Sequence, residues 1–257
     1  MTAKQANTEE KNKQTKKYDA TLVILTKNEI TGITALIDKI PSNRFKEVFA
    51  IDGQSTDGTK KFLEKKGIKV ITQKKKGRAE AFRIGCALAK FEHVIFFSPD
   101  GNEDPKDIVK LAYWLEQGHD MTVASRFMKG GRSDDDDVWL PIRGLGNKGF
   151  TLALDILWGG KLTDSINGFR GMKKSRFWKL NPDSEGFGIE FQLSMRALKL
   201  KYKIKEIPSY EGDRIGGQST ARTFATGWYF VKLMLKELWI GKSFLKMPQV
   251  KKKYNVN

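Results

Sequence analysis

A three-layer α/β sandwich around a mostly parallel central sheet is the fold class this sequence predicts. Three observations carry that expectation. Short apolar runs alternate with helical patterns from Thr21 to Ala124. Polar, glycine-containing turns close the runs, as in βαβ units. The 257 residues are enough for one large domain, which at this size buries about three quarters of its unfolded surface.

The elements follow in chain order. Residues 1–18 are rich in Lys, Glu, Gln, Asn and Thr without apolar periodicity, and read as a disordered basic arm. Thr21 to Leu25 is a β-rich run, and a helical pattern covers Ile30 to Ile40. Glu47 to Ile51 is the second strand. Asp57-Gly58-Thr59 then opens a helix, with Asp57 at the capping position its short acceptor suits. Ile68 to Thr72 is a third strand, Ala79 to Lys90 a helix, and His93 to Phe97 a fourth, buried strand. Asp104 to Gln117 is helical and Asp120 to Ala124 extended. The second half is less regular. Arg143 to Trp158 and Phe187 to Leu200 have helical spacing, and Tyr202 to Ile207 alternates like a strand before Pro208. Phe224, Trp228, Val231, Leu235, Leu238 and Trp239 recur at helical steps and mark an amphipathic helix. The expected organisation is an arm (1–18), a sandwich domain (19–222) and a helix with a basic tail (223–257).

Composition narrows the function classes. A formal charge of +17 calls for an anionic partner: phosphorylated substrates, an anionic membrane surface or nucleic acid. The lysines are scattered and no recognised nucleic-acid motif appears, so a basic nucleic-acid-binding protein ranks last among the readings and no specific nucleic acid is expected. One cysteine, Cys86, excludes an internal disulfide and fits a reducing compartment. His93 and His119 do not suffice for a multi-histidine zinc site. No run of 18 apolar residues and no hydrophobic leader is present, so the expectation is a cytoplasmic protein.

Polar clusters fall at the ends of the first four strands. They are Thr26-Lys27-Asn28-Glu29, Asp52 to Thr59, Lys74 to Arg78, and Ser98-Pro99-Asp100-Gly101-Asn102-Glu103-Asp104-Pro105. In a parallel sheet these ends share one rim, where ligands bind. Asp100 there can hold a divalent ion against a substrate's phosphates. Glu29 and Asp52 can accept hydrogen bonds from a base or ribose, and Lys76 and Arg78 can neutralise phosphates. Taken singly, Asp100 and Asp104 also read as turn and N-cap residues. The run Asp134 to Asp137 reads as a solvated loop.

These segments, in this order, resemble the family-2 glycosyltransferases of the GT-A (nucleotide-diphospho-sugar transferase) fold, especially the dolichyl- and polyprenyl-phosphate sugar synthases. The resemblance runs from about Thr21 to Thr220. Thr26-Lys27-Asn28-Glu29 is similar to T-x-N-E, Ile51 to Thr59 to V-D-D-G-S-x-D-G-T, and Lys76-Gly77-Arg78-Ala79-Glu80-Ala81 to K-G-x-x-x-A. Ser98 to Pro105 resembles the metal-binding D-x-D with its following D-P, and Ser125-Arg126 resembles G-S-R. Asp164 with Asn167-Gly168-Phe169-Arg170 resembles D-x-x-x-G-F-R, and Arg214 to Ser219 the R-x-G-x-S loop that handles phosphates. The chain departs from the pattern at Gly53, Ser98 and Thr220.

The resemblance implies inverting transfer from a nucleotide-sugar donor to a polyprenyl-phosphate acceptor, with Mg2+ or Mn2+ held mainly by Asp100. A saccharide or protein hydroxyl acceptor is the alternative. Arg126, Arg170 and Arg214 are then candidates for gripping phosphates. Asp164 or Glu190 would serve as base toward a hydroxyl. Thr26, Asn28, Glu29, Asp52, Lys76, Gly77, Arg78, Ser98 and Ser219 would contact the donor. The terminal aromatic helix, with Lys236, Lys242, Lys246 and Lys251 to Lys253, suits peripheral contact with an anionic membrane at its cytoplasmic face.

Overall fold

The computed structural model describes residues 17–133, 142–212, 214–215 and 223–254. Most of the expected arm, the Asp134 to Asp137 run and Ser219 lie outside the described residues. The strands are β1 (Tyr18–Thr26), β2 (Phe45–Asp52), β3 (Lys69–Thr72), β4 (His93–Phe97), β5 (Met121–Ser125), β6 (Arg170–Lys173) and β7 (Ile204–Pro208). The helices are α1 (Ile30–Leu36), α2 (Thr59–Lys65), α3 (Arg78–Leu88), α4 (Asp107–Glu116), α5 (Ile142–Trp158), α6 (Lys174–Lys179), α7 (Gly188–Lys199) and α8 (Thr223–Ile240).

The strands form one seven-stranded sheet in the order β3-β2-β1-β4-β6-β5-β7. All pairings are parallel except those of β6, which runs antiparallel between β4 and β5. Strand apolarity explains the layers. Leu22 and Ile24 of β1 pack with Ile33, Leu36, Leu63, Ile108 and Leu111 under α1, α2 and α4. Val23 and Leu25 point the other way, into Phe82, Cys86, Phe177, Ile189 and Leu193 of α3, α6 and α7. A strand apolar on both faces belongs inside a sheet covered on both sides. The chain steps from β1 outward to β2 and β3, then returns to place β4 on β1's other side. The topological switch point therefore lies between β1 and β4, and a ligand crevice opens at their carboxyl ends.

A third apolar cluster joins α5 and α8 to α7 through Leu154, Phe191, Met195, Phe230 and Leu233. The inner side of α8 also carries Glu237, fully buried between Arg196 and Lys199 of α7 at 2.8 and 2.6 Å. The basic tail folds back as well: Phe244 is buried, and the Tyr254 hydroxyl donates to Glu80 at 2.7 Å. Among the described residues no helix is long and apolar enough to cross a membrane.

Several boundaries differ from expectation. Tyr18, expected in the arm, starts β1 and stacks on Phe45. The helix expected to Ile40 ends at Leu36 and continues as a 3-10 turn, Ile37–Lys39. Asp104 lies in the turn before α4, where its Oδ1 accepts the Lys106 amide at 2.9 Å. β6 and α6 were not expected. Arg170-Gly171-Met172-Lys173 has no apolar alternation, and its pairing is fixed by neighbours on both sides. Gly171 is required there, because a Cβ would press on Thr122 and Leu115 at 2.7 and 2.9 Å.

Candidate functional site

The loops after β1 and β2 are laced together. Asn28, at φ 56°, donates its amide to Ser55 Oγ at 2.9 Å and accepts the Thr56 amide at 2.8 Å. The Glu29 amide bonds Thr59 Oγ1 at 3.0 Å. Asp57 accepts the amides of Ile30 and Thr59, each at 3.0 Å, so it caps two chain segments. Burial pushes the Asp57 carboxyl up, but these bonds hold it below its ordinary range. Asp52 turns inward: it is buried, accepts the Ser55 amide at 3.0 Å and lies 3.5 Å from Thr26 Oγ1. The Gly53 departure has a steric reason. A side chain there would crowd the Thr26 carbonyl and Lys27, at 3.2 and 3.1 Å.

A cavity of about 930 Å³ opens at the switch point. Thr26, Asn28, Glu29, Gly77, Arg78, Ser98, Asp100, Arg126, Glu190 and Arg214 line it. Asp52, Lys76, Asp164 and Arg170 are not among the lining residues. Lys76 is exposed, so of the basic run only Gly77 and Arg78 reach the cavity.

Arg78 lies at the centre of this wall. Its guanidinium pairs with Glu190 Oε1 and donates to Ser98 Oγ at 3.1 Å. Gly168 makes room for it, since a Cβ at that position would overlap the guanidinium. Glu190, in the first turn of α7, keeps Oε2 buried and without a hydrogen-bond partner. Across the cavity, Arg214 bonds Asp100 Oδ2 at 2.6 Å and lies 3.7 Å from Glu29 Oε1. The Ile215 amide donates to the Asp100 carbonyl at 3.2 Å, seating this segment on Gly101.

Burial and the nearby Asp100 charge raise the Glu29 carboxyl to about 7. Burial also raises Asp100, against the pull of Arg214 and Arg78. Glu103 rises further, through burial and the Asp100 charge. Among the described residues no three His, Cys, Asp or Glu side chains gather as a metal cage. Asp100 Oδ1 is nonetheless buried and unpartnered on the cavity wall. Such an oxygen fits a hard cation whose remaining shell comes from a ligand's phosphates and water.

Two expected site residues have other work. Asp164 is fully buried and grips Arg126 with both oxygens, at 2.7 and 3.1 Å, while accepting the Ile166 and Asn167 amides. Burial favours its protonation, but Arg126 outweighs it and holds the carboxyl below its ordinary range. It positions Arg126 and does not line the cavity. Arg170 is also fully buried. It donates to the carbonyls of Asn167 and Glu190 at 2.8 and 3.0 Å and to Ser194 Oγ at 3.3 Å. Burial lowers it to about 10. It braces the rim loop against α7 and does not face the cavity.

Sequence reasoning missed the far end of the cavity. Phe150 and Ile166, with Phe224, Trp228, Phe230 and Val231 of α8, make an apolar wall there. Arg143 and Asn147 of α5 stand beside it. Arg143, Asn147 and Phe150 follow helical spacing, but the sequence alone does not say which side of α5 meets the cavity. Glu103 and Glu211 also line it.

Residues 21–180 match the model of Glycosyl transferase family 2. Glycosyltransferase AglJ of Haloferax volcanii is 27% identical over 198 residues, 76% of this chain and 63% of the relative. The dolichol-phosphate mannosyltransferase of Pyrococcus furiosus is 27% identical over 210 residues, 77% of this chain and 58% of the relative. The chain thus spans roughly three fifths of these relatives' length. In fold, it is similar to glucosyl-3-phosphoglycerate synthase of Mycobacterium tuberculosis, solved with Mn2+, UDP and glucosyl-3-phosphoglycerate. The TM-score is 0.65 at 19% identity, over 91% of this chain and 82% of that one. With the family match covering more than half of its length, the chain belongs to glycosyl transferase family 2.

Proposed function

We propose that the chain is an inverting glycosyltransferase that moves a sugar from a nucleotide-diphosphate sugar to a polyprenyl phosphate. The observation that carries this reading is the two-ended cavity. Carboxylates and guanidinium groups line its sheet rim, and aromatic and aliphatic side chains line its α5/α8 end. A phosphate head on an isoprenoid tail has the same polarity along its length. The similarity to a dolichol-phosphate mannosyltransferase supports the same acceptor class.

The donor diphosphate belongs at the rim, with Thr26, Asn28 and Glu29 near its nucleoside. Asp100 would hold Mg2+ or Mn2+ there, and the ion would supply positive charge against the departing diphosphate. Arg78 and Arg214 offer forked donors to the same oxygens. Arg126, fixed by Asp164, and Arg143 line the cavity and would meet an acceptor phosphate. An ionised acceptor oxygen forms the new bond to the anomeric carbon from the face opposite the diphosphate. The carbon–oxygen bond to the diphosphate breaks, and its electron pair leaves with the nucleoside diphosphate. No proton has to be removed. Glu190, with its unpartnered Oε2, favours the second reading, in which it takes the proton of a saccharide or protein hydroxyl.

The outer faces of α5 and α8 support peripheral contact with an anionic membrane at its cytoplasmic face. Leu145, Leu152 and Ile156 form an exposed row on α5, as do Leu235 and Trp239 on α8, in line with Phe224 and Trp228, which are exposed while also lining the cavity. Lys232, Lys242 and Lys246 are exposed beside them, whereas Lys236 is paired with Asp183 at 2.7 Å. Specific nucleic-acid binding has no motif in its favour.

Incubation with labelled nucleotide-sugars and polyprenyl phosphate tests the reading. Label that partitions into organic solvent supports it, whereas label only in a water-soluble glycan or protein selects the second reading. Asp100→Ala should abolish transfer with the melting temperature retained.

A further inference from the structure

The acidic pair of the related motif begins at position 98, where this chain has Ser98. A serine hydroxyl brings no charge to a divalent cation. The fold brings a carboxylate to the backbone of that position from further along the turn. Glu103 turns back so that its Oε2 accepts the Ser98 amide at 3.4 Å. It is buried, and it lines the cavity together with Ser98 and Asp100. A bridge pairing of Glu103 with Glu211 holds its backbone in place.

The groups facing Glu103 are Asp100, Arg78 and Glu211. Arg78 is already paired with Glu190, and Arg214 is shared between Asp100 and Glu29. A cation bound beside these carboxylates would offset the cost of burying their charge. In the same turn, Asp100 Oδ1 and Asn102 Oδ1 are buried and have no hydrogen-bond partner.

We propose that Glu103 supplies the carboxylate missing at position 98, so that Asp100 and Glu103 together hold the divalent ion under the donor diphosphate. Magnesium-type sites use one or two carboxylates completed by phosphate and water, which is the shell this pair would leave open. The proposal rests on the transferase reading.

Binding of Mn2+ to the full chain, followed by electron paramagnetic resonance with and without UDP or GDP, tests it. Glu103→Gln keeps the shape and removes the charge. It should weaken Mn2+ binding at least about tenfold, the lower end of what losing an outer-shell partner of a metal costs. Ser98→Asp combined with Glu103→Gln should restore binding, a rescue that misfolding cannot imitate. Wild-type affinity in Glu103→Gln, or a double variant that binds no better than Glu103→Gln, overturns the proposal and leaves the transferase reading standing. Absence of Mn2+ binding by the wild-type chain under both conditions removes the metal from the transferase reading as well.

Discussion

Glu29 gives the site a charge that changes near neutral pH. Its folded-state value of about 7 stands above the ordinary 4.5. The protonated side chain therefore adds stability that is fully present below the ordinary value and lost as pH rises through about 7. The melting temperature of the ligand-free protein should fall as pH rises from 4.5 to about 7, and Glu29→Gln should flatten that slope. An identical slope in the variant would show that Glu29 is not the group responsible. Gly168 makes a second residue-scale prediction. In Gly168→Ala the new methyl displaces the Arg78 guanidinium and meets Glu190 Oε1 at 2.9 Å. Misplacing a positioning group by an ångström costs about 100-fold, so kcat/KM should drop by that order while the fold persists. Steady-state kinetics near wild type would show that Arg78 is not needed where it stands. At this scale the sequence was an uneven guide. Asp100, Glu29, Arg78 and Glu190 reach the cavity because they follow strand ends or open helices, which periodicity locates. Asp164 and Arg170 have the same residue types but spend their groups on Arg126 and on backbone carbonyls, and partners of that kind are set only by packing.

At the scale of elements, α8 is fastened by charge as well as by apolar contact. Glu237 meets Arg196 and Lys199, and Arg196 also holds Asp183 at 2.6 Å. Glu237→Ala leaves Lys199 without its carboxylate in the interior and Arg196 with Asp183 alone, a change that costs about 3–5 kcal/mol when a buried pair is broken. Urea denaturation should show a loss of that size, and a shift under 1 kcal/mol, as is usual for exposed pairs, would mean the network is open to water. The strands that alternate or run apolar were legible, as was α8 from its three- and four-residue steps. β6 was not. Its residues carry no period, and a short central strand is defined by the neighbours that pair with it.

At the scale of the whole molecule, the proposed membrane contact can be tested. Truncation cannot test it, because Phe230, Leu233 and Glu237 of α8 are part of the interior. Substitutions on the outer rows can. Trp239 and Ile156 are 88% and 75% exposed. Inserting such a side chain into a bilayer is worth about 1.5–3 kcal/mol, or roughly tenfold or more in affinity. Trp239→Glu and Ile156→Glu should each cut sedimentation with anionic vesicles by about that factor while thermal stability is unchanged. Equal sedimentation would leave both helices without a membrane role.

The reversed direction of β6 has an effect on tolerance to change. A parallel strand presents its end to the ligand crevice, but β6 presents its beginning, so the stretch from Thr163 to Phe169 arrives beside Ser125 and Arg126. Lengthening that stretch by one residue would swing Arg126 and Gly168 out of alignment together. The opposite hinge, where Lys173 passes into α6, lies at the remote edge of the sheet, and an added residue there would leave the chemistry alone.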